Sequence, residues 1–163
     1  MLWPSVYHLR LLAFTKGWRS NENKKMLTNS FNKMLSLAPI PEIKLFHKGQ
    51  RISPAKIDFI NIFTKDIFTF SASEWMLWLH WAELVARLEI IKDIPRIRLQ
   101  LEQLIEYLDN NNGMFIKELS HYYFTKWTPY VGLSLDCDWK SKKNKMNNLT
   151  FRSLLILRYA ELL

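Results

Sequence analysis

The run from Trp75 to Ile91 constrains the fold of this chain more than any other segment. It is apolar except at four positions, which are His80, Glu83, Arg87 and Glu89. The first three follow one another at intervals of three and four, so on a helix they share one narrow stripe. A helix that is apolar on its other sides must be covered on most of them, and we therefore predict that this one is central.

Local signals indicate where this central helix begins. Ser71 and Glu74 match a capping box, in which each side chain accepts a hydrogen bond from a free backbone N–H at the helix start. We predict a helix from Ala72 to about Ile91, with Glu83 and Arg87 paired on the one edge that remains open to solvent.

Other segments with a helical period are bounded by proline, glycine or asparagine. They predict helices from Trp3 or Pro4 to Thr15, from Glu22 to Leu37 behind a cap at Asn21, from Pro95 to a stop at Asn110–Gly113, from Thr128 to about Cys137, and from Asn148 onward. The last helix carries Phe151, Leu154, Leu155, Arg158, Tyr159 and Leu162 and shows no stop signal. Because the central helix and the next are joined by a short turn, they should form an antiparallel αα-hairpin.

Between residues 40 and 70 the helical period is lost, and short apolar runs alternate with Gly49 and Pro54. We predict an irregular segment here, with short strands pairing around Gly49 as one arrangement. A segment of this length without regular structure is either functional or a sign that elements were missed.

The composition agrees with a helical fold. The chain has 163 residues, 48% of them hydrophobic, which suits one domain with a sizeable core. Four glycines and six prolines leave little material for the turns of a β-sandwich. We predict a single all-α domain over residues 1–163, built from antiparallel αα-hairpins. Its only cysteine, Cys137, favours a cytoplasmic location, and charged residues within the most apolar run argue against a membrane-spanning helix.

Two distant stretches share a pattern of Trp, a basic residue, Ser, two free positions, Asn and Lys. They read WRSNENK from Trp18 and WKSKKNK from Trp139. As a structural unit, each would be a helix–loop–helix corner with Trp packed at the joint and Asn capping the next helix. As a polyanion site, Lys would bind phosphate while Trp stacks on a base, and the net charge of +8 suits such a partner. The candidate residues are Arg19, Lys24, Lys25, Trp139, Lys140, Lys142, Lys143 and Lys145.

Stacked helical hairpins, with one ending in YLDNNNGMF from Tyr107 to Phe115, resemble the repeats of the terpenoid cyclase and protein prenyltransferase superfamily over residues 74–163. The resemblance implies a partial α/α toroid, as in a fragment of a larger helical-repeat protein. The sequence LDCDW supplies Asp136 and Asp138 but lacks the third carboxylate of the cyclases' Asp-x-Asp-Asp motif. The prenyltransferase zinc spacing is not matched by Cys137 and His121, so we predict no metal and no cofactor.

The densest chemical patch lies between residues 121 and 138. The candidate pocket residues are His121, Tyr122, Lys126, Trp127, Asp136 and Asp138. The same aromatics are more typical of a joint between two helices, where their polar tips reach water or backbone. Elsewhere, His80 would need a carboxylate to orient it, and Glu83 on the same stripe has the spacing to do so.

We predict that the protein is a helical-repeat binding or interaction module. Two alternatives stay open: a small or partial toroid-class enzyme acting on an isoprenoid-like apolar substrate at the candidate pocket, and a nucleic-acid-binding protein that uses the two Trp/Lys loops. A final helix without a stop signal predicts a protein partner or further chain at the helical ends, with nucleic acid the less favoured partner.

Overall fold

The computed structural model describes residues 6–41, 45–52, 58–119 and 141–163. Within these ranges the fold is helical, as predicted, with one small β-hairpin. The α-helices are α1 (Val6–Phe14), α2 (Asn21–Leu37), α3 (Ala72–Ala86), α4 (Pro95–Asp109) and α5 (Lys142–Tyr159). Short 3-10 helices span Asp58–Thr64, Ile67–Thr69 and Ile91–Asp93, and the hairpin consists of β1 (Leu45–His47) and β2 (Gln50–Ile52).

The central helix α3 begins at the predicted cap. Ser71 Oγ accepts a hydrogen bond from the Glu74 backbone N–H at 3.3 Å, and the Glu74 carboxylate accepts one from the Ser71 N–H at 2.9 Å. Eleven of its 15 residues are buried, which confirms the central position. The helix stops at Ala86, earlier than the predicted end near Ile91, because Glu89 turns into the left-handed region with a φ of 58°.

Helix α1 lies along α3 and parallel to it. Arg10 Nη2 of α1 donates to His80 Nε2 of α3 at 3.4 Å. One turn further along α1, the Phe14 ring lies 4.8 Å from the guanidinium carbon of Arg87. Residue numbers therefore rise together along the two helices, so they run in the same direction.

Helix α5 also lies parallel to α3. Arg152 Nη1 is 3.7 Å from the Glu83 carboxylate, and the Tyr159 ring is 4.2 Å from the guanidinium carbon of Arg87. Helices α1 and α5 consequently flank α3 and approach each other at Arg87.

Helix α4 packs antiparallel to α3, as predicted for the hairpin. Near the start of α3, Trp75 meets Tyr107 from the end of α4 with ring centroids 5.8 Å apart. Further along α3, Trp78 Nε1 donates to Gln100 Oε1 at 2.7 Å. Contacts through such large side chains connect the two helices.

Part of the segment between α2 and α3 belongs to the core, chiefly through apolar residues of its 3-10 helices. The 3-10 helix Asp58–Thr64 buries Phe59, whose ring meets Phe31 of α2 at 6.3 Å and Trp81 of α3 at 5.9 Å. This segment therefore fills space between two helices, and the irregular pattern of its sequence reflects missed 3-10 elements.

The strand pairing predicted around Gly49 is present. Strands β1 and β2 are antiparallel, and Lys48 and Gly49 form the two-residue turn between them with φ values of 48° and 77°. Two left-handed residues in succession are typical of a type I′ turn, whose twist matches that of the strands.

The end of α5 has a stop that the sequence analysis did not identify. The Glu161 N–H donates to the Arg158 carbonyl at 3.2 Å, and the Leu162 N–H donates to the Leu157 carbonyl at 3.0 Å. These two bonds, with Glu161 at a φ of 56°, constitute a Schellman motif. The expectation of a partner or further chain at this helical end was based on a missing stop signal, and that basis is wrong.

Candidate functional site

The candidate pocket lies outside the described residues, so its arrangement stays a prediction. This applies to His121, Tyr122, Lys126, Trp127, Asp136 and Asp138, to the helix predicted from Thr128, and to Trp139 and Lys140.

The two similar stretches share a helix cap. Ser20 Oγ accepts a hydrogen bond from the Asn23 N–H at 3.2 Å, and Ser141 Oγ accepts one from the Asn144 N–H at 3.4 Å. Serine is thus the cap in both copies, and the predicted cap at Asn21 is wrong because Asn21 already lies in the first helical turn. The shared pattern is explained by helix initiation, since an N-cap side chain must reach the backbone N–H three residues on.

Trp18 packs at a joint, as the structural alternative predicted. Its Nε1 donates to the Leu12 and Thr15 carbonyls at 2.8 and 3.0 Å, which would otherwise lack partners at the end of α1.

The lysine-rich stretch is helical where the structure describes it. Helix α5 begins at Lys142, so the predicted start at Asn148 is wrong and Lys142, Lys143 and Lys145 occupy its first turns. The polar residues there carry no apolar period, which is why pattern reasoning placed them in a loop.

The two basic groups lie at opposite ends of α5. The first group consists of Arg19, Lys24 and Lys25, and the second of Lys142, Lys143 and Lys145. Lys24 of the first group lines a cleft together with Tyr159 and Glu161 at the end of α5. The second group occupies the start of the same helix, which at 1.5 Å per residue is about 27 Å long for its 18 residues. The described members of the two groups are therefore separated by about the length of this helix, and the polyanion site stays a prediction.

Several candidate cations are already paired with carboxylates. Arg19 and Lys24 both contact Glu89, and the hydrogen bond from Lys24 lowers the pKa of that carboxyl group. Lys142 pairs with Glu118 at 3.0 Å. The positive charge offered to a polyanion is reduced accordingly.

A small cleft lies where α2, α3 and α5 meet. Its volume is about 200 Å³, and Lys24, Glu89, Lys92 and Glu161 contribute charged side chains of both signs. Pockets that hold drug-sized ligands are usually larger than about 300 Å³ and mostly apolar. We therefore assign no ligand to this cleft.

His80 is a buried, uncharged histidine. Its Nε2 accepts a hydrogen bond from Arg10, while Glu83, the carboxylate that the sequence suggested as its partner, binds Arg87. Burial, followed by the positive charges of Arg10 and Arg152, lowers its pKa to about 3. At neutral pH the ring carries no charge.

Glu83 lies at the centre of a buried ionic contact. Its carboxylate accepts from Arg87 Nε and Nη2 at 3.1 and 2.9 Å and also faces Arg152. The predicted pair is confirmed, but its predicted place on an open edge is wrong, because α5 covers this stripe and leaves Glu83 4% exposed.

Arg87 links three helices in addition to binding Glu83. Its guanidinium group lies against both the Phe14 ring of α1 and the Tyr159 ring of α5. Attraction between the cation and the aromatic faces stabilises this contact, and it fixes the spacing between α1 and α5.

Helix α1 exposes a row of large apolar residues, although the last of them, Phe14, also contacts Arg87 of α3. Val6, Leu9 and Ala13 are buried in the core, as predicted for the inner face of this helix. Tyr7, Leu11 and Phe14 are 67%, 63% and 63% exposed, and their spacing of four and three places them along one outer line.

Helix α5 shows a second such row. Phe151 and Leu154, at helical spacing in the sequence, are 45% and 38% exposed, whereas the opposite side buries the polar residues Asn148, Arg152 and Ser153 together with Leu149, Ile156 and Leu157. Burial of polar residues while apolar residues remain in solvent conflicts with the usual amphipathic pattern. We call Tyr7, Leu11, Phe14, Phe151 and Leu154 the outer face.

Sequence reasoning missed the outer face, although one signal was present. No aspartate or glutamate occurs before Glu22 or between Asp138 and Glu161. The two helices with exposed apolar rows thus contain only basic charges.

No family model, curated protein or solved structure matches this chain. The toroid resemblance accordingly stays a prediction.

Among the described helices, none is both long and apolar enough to cross a bilayer.

Proposed function

We propose that this protein is a cytoplasmic interaction module that binds its partner through the outer face of α1 and α5. The observation that carries the proposal is the pair of exposed apolar rows on two neighbouring helices without acidic residues. Single exposed leucines are ordinary on protein surfaces, but rows at helical spacing on adjacent helices are typical of binding surfaces.

The state of His80 and Glu83 in α3 favours a binding function over a catalytic one. His80 is uncharged and faces an arginine, and Glu83 is engaged by Arg87 and Arg152. A general acid or base must be able to exchange a proton with a substrate near the working pH. These two groups instead hold α1 and α5 in place, so we propose that they support the outer face.

The test compares two double variants that each replace two large apolar side chains of similar fractional exposure. Tyr7→Gln/Leu11→Gln removes side chains of the outer face, while Met26→Gln/Phe46→Gln removes side chains of similar exposure, 64% and 66%, from α2 and the hairpin. Glutamine preserves helix propensity at positions 7, 11 and 26, and Phe46 is an exposed residue of the hairpin, so both variants should fold.

The measurement is recovery of bound molecules from an extract of the source cells on immobilised wild type and both variants. We expect molecules that the wild type and the α2/hairpin variant retain to be lost from the outer-face variant. An identical set of bound molecules for all three proteins would refute the proposal.

A further inference from the structure

Building on the proposed function, we infer that the partner of the outer face is the surface of a membrane that contains anionic lipids. The protein would lie on this surface with the aromatic and leucine side chains of α1 and α5 inserted among the headgroups.

The first argument is geometric. Helices α1 and α5 both run parallel to α3, and the rings of Phe14 and Tyr159 lie against the same guanidinium group. The two helices therefore approach each other at Arg87, and each exposes large apolar side chains. In the proposed arrangement, the exposed residues of these two parallel helices form one platform that a planar partner contacts along both helices at once.

The second argument is the charge of this platform. Helix α1 carries Arg10 and is followed by Lys16, while α5 carries Lys142, Lys143 and Arg158 among other bases, and neither helix contains an acid. Lys16, Lys143 and Arg158 are exposed. Lys142 is exposed as well, but its charge is partly offset by the pair with Glu118. Basic residues near an anionic membrane attract it electrostatically, and acidic residues would oppose this.

The same charge argues against a second copy of the chain as the occupant. Two outer faces brought together would place basic helices against each other without any acidic residue on either helix to compensate. Repulsion between like charges disfavours such a contact.

The third argument concerns side-chain type. Phenylalanine, tyrosine and leucine on one side of a helix, with lysine and arginine beside them, are characteristic of helices that lie in the membrane interface. A helical peptide partner would instead require an apolar groove. The exposed residues here are on the crests of the helices, which favours a flat surface over a groove-bound helix.

The experiment uses the full chain and sedimentation with two kinds of vesicle. One is phosphatidylcholine alone, and the other contains roughly 30 mol% phosphatidylserine. We expect binding to the anionic vesicles at least about tenfold tighter than to the neutral ones, and weaker at high salt. Tyr7→Gln/Leu11→Gln should lose about tenfold in binding, because its basic residues remain but its apolar contacts are reduced.

Two further variants complete the design. Phe151→Gln/Leu154→Gln tests the same face from α5 and should show a similar loss, so the inference stays testable if one variant fails to fold. Met26→Gln/Phe46→Gln should bind like the wild type. Thermal melting shows which variants are folded.

Other outcomes overturn the inference in distinguishable ways. If the anionic vesicles are not bound while recovery from extract still requires Tyr7 and Leu11, the partner is a protein, and the interaction module stands without the membrane. If both outer-face variants bind the vesicles like the wild type, charge alone is responsible. If poly(U) RNA is bound as tightly as the vesicles and the outer-face variants retain that binding, the protein is a nucleic-acid binder.

Discussion

Replacing Glu83 with glutamine should strongly destabilise the protein, although the change in side-chain shape is small. Glutamine keeps the shape of the side chain but removes the negative charge that Arg87 and Arg152 face. The Glu83 and Arg152 side chains retain only 5% and 2% of their exposure. Removing one partner of a buried ion pair costs about 3–5 kcal/mol, because the remaining charge stays desolvated.

We expect the lower end of this range. The Arg87 side chain keeps 18% of its exposure and is able to turn towards solvent, which relieves part of the cost. Arg152 has no such route. The expected loss in the free energy of unfolding is about 3 kcal/mol.

Urea denaturation followed by far-ultraviolet circular dichroism measures this loss. With a slope of about 2 kcal/mol per molar urea, the midpoint should fall by about 1.5 M. The melting temperature should fall by about 6–12 °C for a chain of this length.

Glu102→Gln is the matched control. Glu102 also pairs with an arginine four residues away, Arg98, at 3.0 Å, but both side chains are about half exposed. An exposed pair of this kind contributes about 0.3–0.5 kcal/mol. Equal losses for Glu83→Gln and Glu102→Gln would refute the conclusion that burial makes the α3 pair important.

Three further predictions concern local features. The free energy of unfolding of the wild type should fall by about 2 kcal/mol from pH 7 to pH 5. The cause is His80, which binds a proton below pH 6.5 in the unfolded chain but only near pH 3 in the folded chain. Urea midpoints at the two pH values measure this fall, and His80→Gln should reduce it. Glu161→Gly should stabilise by about 0.5–1 kcal/mol by relieving a left-handed residue, and a lower melting temperature would contradict this. Ser20→Ala and Ser141→Ala should each cost about 1 kcal/mol in urea unfolding, and no change in either would mean that its cap is not formed in solution.

Local signals predicted the helices best. The capping box at Ser71 and the proline at Pro95 each determine where a helix begins through atoms within one turn, and both predicted starts are confirmed. The start of α5 was missed for two reasons. Its first turns lack an apolar stripe, and the residue three positions after the cap Ser141 is Asn144, whereas a capping box has a glutamate there.

The burial of polar residues could not be predicted from the sequence. The stripe of His80 and Glu83 looks the same whether it faces water or another helix, and the helices that cover it come from distant parts of the chain. Arg10, which contacts His80, is 70 residues away. The outer face was missed for the same reason, since Phe151 and Leu154 of α5 carry the pattern of a packing side, and only the tertiary arrangement reveals that they are exposed.

The parallel arrangement of α1, α3 and α5 has a consequence for how the chain acquires its structure. Parallel neighbours require long connections, so these contacts have high sequence separation and form late relative to local helix contacts. During synthesis, α3 emerges from the ribosome well before α5, so the side of α3 that α5 covers stays exposed until α5 has been made. We therefore expect refolding to be slower than in up-and-down bundles of similar size, with aggregation competing at the stage when α3 is still uncovered.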